Sequence, residues 1–294
     1  MRLRYHYSGL GRDLFDAGHI SGSRVYAGGQ DPFTWPREMR AAAFHGMGAE
    51  YDDSAAYPRA RAAMVPIGRD STRAFLANRE PLLAAFGARL WKEESIAERR
   101  ARMKCVMNAW DMDASEDIWI RKFGNPHGRT LAGVTEAIPG GTFSMQAYRA
   151  ETAGATRWMA EHAPAVMDYL RQPRPWRTKR SRRAKREDPR LVLKSYLLQE
   201  AEATAREAKV AWFEANDMRV MGMQHDGVLV ESEPWDDVFV QMGFDMGVQD
   251  QVTRAAEEAC GFEVKVVGDE CRLTPRFGCC GTDRSCGCAL ARSS

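Results

Sequence analysis

Residues 218–231 read Met-Arg-Val-Met-Gly-Met-Gln-His-Asp-Gly-Val-Leu-Val-Glu, two β-rich arms around His225-Asp226-Gly227. Asp-Gly is a strong two-residue hairpin signal, because the turn that suits twisted strands needs positive φ at its centre. The spacing predicts strands at 219–224 and 228–231 joined by a tight step. Upstream, 191–216 reads as one long helix; downstream come a helix at 249–260 and a strand at 263–267. Helix, strand, turn, strand, helix, strand describes an α+β fold built on an antiparallel sheet.

Asp226 has two readings. In one it serves only the turn. In the other it works with a second acid at a matching strand end, Asp52 in the stretch 49–64, Ala-Glu-Tyr-Asp-Asp-Ser-Ala-Ala-Tyr-Pro-Arg-Ala-Arg-Ala-Ala-Met. There a short strand at 49–51 meets a helix-forming run. Two carboxylates from separate strand ends, far apart in the chain, suit a two-metal phosphoryl-transfer site. Mg²⁺ prefers oxygen ligands, and two ions ~3.5–4 Å apart need carboxylates to offset their repulsion. Asp53 reads as a solvated strand-end acid, and a slip of one residue would exchange it with Asp52. Such chemistry also needs cations over a triphosphate. Arg100 and Lys104 stand at i and i+4 in 97–110, on one helical face. The alternative for this pair is a solvated basic face shared with Arg99 and Arg102.

The composition excludes several other classes. The chain has 294 residues, 44% hydrophobic and 28% charged, ordinary values for a globular protein. No apolar run approaches the ~18 residues of a membrane helix, and the first residues lack a signal peptide's apolar core. The expected location is therefore intracellular, cytoplasmic or nuclear, and not secreted, with no membrane partner.

Net charge is +2, but 171–190 sets ten cations against two acids, a local +8. Arg180, Arg182, Arg183 and Lys185 lie at its centre. A block of this kind suits phosphate backbones, with a solvated loop or a nuclear-targeting signal as alternatives. Six of the seven cysteines crowd the end, from Cys260 to Cys288. Their spacing lacks the paired C-x-x-C knuckles of strong zinc sites, so a reduced tail is favoured over a metal site.

In the order of these motifs the chain resembles the polymerase core of family A DNA polymerases, the bacterial DNA polymerase I type. That family's first motif, D-x-S-x-x-E-x-R, matches at Asp52, Ser54 and Arg59. Its R-x-x-x-K matches Arg100 and Lys104. Its H-D-E matches His225 and Asp226, with Gly227 in the third place. Arg24 resembles the family's minor-groove contact, and Gln199 its template-contacting Gln. Tyr57 replaces the family's Glu and is similar to the sugar-excluding Tyr of family B polymerases. The K-x-x-x-N of Lys104 and Asn108 is also similar to family B.

The resemblance implies an antiparallel palm sheet with long helices and a helical fingers insertion. Residues 1–84 would form an N-terminal extension and the first part of the palm. Residues 85–195 would be fingers-like and carry the basic block, residues 196–270 would complete the palm, and 271–294 would form the Cys-rich tail. It implies a DNA polymerase that extends a primer 3′-hydroxyl, with Asp52 and Asp226 as catalytic ligands of two Mg²⁺ ions, Mn²⁺ being a substitute. Arg100, Lys104, Tyr57 and Asn108 would bind the nucleoside triphosphate. Arg24, Arg59, Gln199, His225 and the basic block would bind primer–template. His225 reads equally as a buried, hydrogen-bonded histidine that orients the hairpin, and the alternative for Tyr57 is a core aromatic. About fifty residues precede Asp52, too few for the family's thumb, whose place the basic block or a protein partner would take. The alternatives are a non-catalytic nucleic-acid-binding protein derived from a palm, favoured by Gly227 and Asn108, and an RNA-synthesising polymerase on the same scaffold.

Overall fold

In a computed structural model, the described residues are 5–7, 9–22, 25–27, 48–113, 131, 133–172, 188–223, 227–231 and 245–270. In chain order they form β1 (Tyr5–Tyr7), α1 (Gly9–Asp16), β2 (Val25–Ala27), β3 (Gly48–Asp53), α2 (Ala56–Met64), α3 (Asp70–Ala77), α4 (Arg79–Leu90) and α5 (Ile96–Asp111). There follow β4 (Thr135–Ile138), β5 (Gly141–Ser144), α6 (Met145–His162), α7 (Pro164–Arg171), α8 (Pro189–Ala215), β6 (Val220–Met223), β7 (Val228–Glu231), α9 (Asp245–Cys260) and β8 (Val266–Glu270). The fold is α+β. No helix among the described residues is long and apolar enough to cross a membrane.

These residues divide into two compact units. One holds the residues up to Ala60 and those from Leu198 onward; the other holds Arg61–Leu197. The first is organised by a four-stranded antiparallel sheet in the order β6-β7-β3-β8. Alternation along the strands gives this sheet two different faces. Val228, Val230 and Val266 pack with Ala205 and Phe213 of α8 and Val252 and Ala256 of α9, and Tyr51 lies against that cluster. At the β3–β8 end the other face is exposed, at Asp52 and Val267. The predicted antiparallel pairing of the two arms is present as β6–β7, with a register irregularity between Val220 and Gly222, and the tight step expected at 225–226 lies outside the described residues. Ahead of β3 the chain contains the β1–β2 pair and α1.

The second unit is helical with one small hairpin, β4–β5. Its core gathers Phe75, Leu83, Phe86, Met103, Trp110, Phe143 and Tyr148. Local chemistry sets the helix starts. Ser95 and Glu98 form a reciprocal capping box on α5, Ser144 caps α6, and Pro164 opens α7 where its missing N–H costs nothing. Glu151 of α6 accepts the backbone N–H groups of Ser71 and Thr72 at 2.7 and 2.8 Å, satisfying the first turn of α3. The α4–α5 pair is close-packed at Gly87, where a Cβ would stand 2.8 Å from the carbonyl oxygen of Arg99.

Candidate active site

The strand β3 runs through Asp53, two residues beyond the expected end, because β8 pairs with it as far as Asp53–Val266. Asp52, opposite Val267, is exposed, whereas Asp53 is buried on the helix-covered face. Lys209 Nζ, from α8, donates to Asp53 Oδ1 at 2.6 Å, and both side chains are inaccessible. Burial raises the Asp53 carboxyl above its usual range, opposed by the Lys209 ammonium. Of the two adjacent acids, Asp53 is therefore engaged inside the unit. It is not the solvated acid expected from the sequence, because α8 covers that face.

The chain turns sharply after β3. Ser54 N donates to the Lys265 carbonyl at 2.8 Å, and Ala55 takes a positive φ of 58° before α2 begins. Arg59 Nε donates to the Ser54 carbonyl at 3.1 Å, and the guanidinium pairs with Glu263. The Arg59 side chain is 10% exposed and braces this turn. Tyr57 is half-buried one residue into α2. A recess behind the turn, lined by Asp53, Arg59, Glu202, Phe262 and Val264, lies on the covered side of the sheet and not on the Asp52 side.

β7 pairs with β3 up to Tyr51–Val228. Val228 is two residues beyond Asp226, so β7 enters the sheet at the end where β3 presents Asp52. Asp226 and His225 themselves lie outside the described residues, as do Arg24, Arg180, Arg182, Arg183 and Lys185. Gln199 is half-buried on α8, beside Glu200, which accepts from the Ser21 backbone and hydroxyl. Among the described residues no three His, Cys, Asp or Glu side chains converge on a metal-sized site. The oxygen chemistry of Asp52 suits Mg²⁺ or Mn²⁺ better than softer ions.

Arg100, Lys104 and Asn108 belong to the second unit. They occupy one exposed stripe of α5, opposite Met103, Val106, Met107 and Trp110 in the core. Arg100 is already engaged: Nε and Nη2 donate to both carboxylate oxygens of Glu80 on α4, the latter at 2.9 Å. These hydrogen bonds hold the Glu80 carboxyl below its usual range and raise Arg100.

A buried polar network in this unit went unanticipated. Tyr148 Oη donates to Asp111 Oδ1 at 2.7 Å, Arg61 pairs with the same oxygen at 3.1 Å, and the Arg61 guanidinium lies over the Tyr148 ring at 4.9 Å. Beside it Lys194 donates to Asp113 at 3.1 Å, and Thr156 bonds the same carboxylate. Burial drives the Tyr148 pKa well upward and also raises Asp111. The available signal was charge inside an apolar stripe. Lys194 follows Leu193, and Glu202, Arg206 and Lys209 recur at helical spacing on the buried side of α8.

No protein-family model matches the sequence, and no curated protein matches it. Among solved structures, the chain is similar to the POL domain of Pol1 from M. smegmatis, determined in complex with DNA primer-template and dNTP. The alignment has a TM-score of 0.43 and 15% identity, and covers 76% of this chain. The chain spans 39% of the length of that structure.

Proposed function

We propose that the chain is a template-directed nucleotidyltransferase, a DNA polymerase that joins nucleoside triphosphates to a primer 3′-hydroxyl. The observation that carries this reading is the exposed Asp52 at the end of a central antiparallel strand, beside the point where β7 enters the sheet two residues after Asp226. These two carboxylates would hold a pair of Mg²⁺ ions, with Mn²⁺ as a substitute; when bound, such a pair supplies activation of the hydroxyl and neutralisation of the departing pyrophosphate. Lys104 and Arg100 would meet the triphosphate through charge-assisted hydrogen bonds, Arg100 exchanging its Glu80 partner for phosphate oxygens. Tyr57 and Asn108 would contact the nucleotide. Arg24, Gln199, His225 and the cluster Arg180, Arg182, Arg183 and Lys185 would hold primer–template, with Arg59 acting through the turn it braces.

Asp52→Asn and Asp226→Asn are each expected to abolish Mg²⁺-dependent primer extension while leaving duplex binding near the parental level. Extension by either variant at the parental rate would remove the proposal. Extension should also fall steeply with salt, as phosphate contacts through the basic block require. A second reading, a binding protein without catalysis, is favoured by Gly227 in the third acidic position. It predicts that the parental protein retains primer–template and adds no nucleotide. Competition between dNTP and NTP in one extension assay separates DNA from RNA synthesis.

A further inference from the structure

We propose that Lys209 is a positioning residue for Asp52, a role that rests on the reading of Asp52 as a metal ligand. The described pairing of β3 with β7 stops at Tyr51–Val228, whereas β8 continues along β3 to Asp53–Val266. Over its last two residues β3 is thus hydrogen-bonded to a described neighbour on one side. Immediately beyond comes a turn whose second residue, Ala55, sits in the left-handed region at φ 58°. A carboxylate that must meet a metal within tenths of an ångström needs its neighbours on the strand held firmly.

α8 holds the residues flanking Asp52 from beneath. Phe213 lies against Tyr51 with ring centroids 4.8 Å apart, and Lys209, one helical turn earlier, bonds Asp53 at 2.6 Å. Tyr51 and Asp53 are i and i+2 on one strand face; Lys209 and Phe213 are i and i+4 on one helix face. The two periodicities match, so the helix grips the residues on either side of Asp52 and leaves Asp52 turned to the opposite face. Of the two grips, Lys209–Asp53 is the one adjacent to the turn. It is also the directional one, since a charge-assisted hydrogen bond fixes an angle as well as a distance. Lys209 lies 156 residues from Asp53 in sequence, so only the packed unit brings the grip together.

The test compares Lys209→Met and Lys209→Arg with Val252→Ala, a change in the buried apolar cluster that holds Phe213 and packs against Tyr51. Mn²⁺ affinity is measured by calorimetric titration of the full chain, and kcat and KM by primer extension. Loss of an outer support for a metal ligand is expected to weaken Mn²⁺ binding by about 10-fold or more in Lys209→Met. It should lower kcat while leaving the nucleotide KM unchanged. Lys209→Arg should recover part of both losses. Val252→Ala should lower Tm with Mn²⁺ affinity intact. Parental Mn²⁺ affinity and kcat in Lys209→Met, or equal losses in Val252→Ala, would overturn the role. If Lys209→Met fails to fold, Asp53→Asn takes its place, with a smaller loss of the same sign expected and parental Mn²⁺ affinity overturning the role. A parental protein that binds no Mn²⁺ removes the role of Lys209 and the metal reading together. One that binds Mn²⁺ but extends no primer removes only the polymerase reading, and Lys209 is then judged on affinity alone.

Discussion

Asp52 and Asp53 are consecutive residues on opposite faces of β3, one exposed and the other bonded to Lys209 inside the unit. They should therefore fail differently. Asp52→Ala is expected to shift unfolding stability by no more than about 0.5 kcal/mol, as for an exposed site. Asp53→Ala strands a buried ammonium and should cost about 3–5 kcal/mol. Urea unfolding of the two variants checks this, and the reverse order would show that the faces are assigned wrongly.

The Tyr148–Asp111–Arg61 network should behave as a coupled unit. Tyr148→Phe removes the donor to a buried carboxylate and is expected to cost about 1–3 kcal/mol. Asp111→Ala leaves Arg61 buried without its ion pair and should cost about 3–5 kcal/mol. The double variant should lose less than the sum of the two, because both changes break the same contact. Strict additivity in urea titrations would show that the three groups act independently.

Glu80 provides a pH test. Its carboxyl is held below the usual range chiefly by the Arg100 hydrogen bonds, so the folded chain binds this proton less readily than the unfolded chain does. Its contribution is therefore fully present above the unfolded value of 4.5 and is lost as pH falls through the lower folded value. The pair is half-exposed, so its worth is at most about 1 kcal/mol. The stability gap between the parental chain and Glu80→Gln should be visible at pH 7 and close under acid. A gap independent of pH would mean that packing, not charge, is what Glu80 contributes.

Cys260 should resist alkylation. Burial, aided by the nearby Asp53 charge, pushes its thiol up to about 11, leaving little thiolate at pH 8. The exposed Cys105 should react with iodoacetamide at least about 10-fold faster, as read by site-resolved mass spectrometry. Equal rates at the two sites would show that α9 opens readily in solution.

Much of the fold was legible because its signals are local. Asp-Gly between β-rich arms predicted the β6–β7 hairpin, and the unbroken run before it predicted α8 to within two residues of its ends. The i, i+4 spacing of Arg100 and Lys104 correctly placed both on one helical face. Local signals were less informative where pairing partners set the boundary. β3 extends to Asp53 because β8 continues alongside it, and β8 itself begins three residues later than its residues suggested.

The amino-acid sequence by itself determined the antiparallel hairpin, the long helix and the stripe of α5 that carries cations, since backbone propensity and periodicity act over a few residues. Only the tertiary structure decided which of two adjacent aspartates faces outward and which cations are already engaged. It did so by covering one face of β3 with α8, and by bringing Glu263 to Arg59, Glu80 to Arg100 and Asp111 to Arg61. Those choices depend on burial and charge pairing between residues 20 to 204 positions apart, distances over which sequence pattern carries no geometric information.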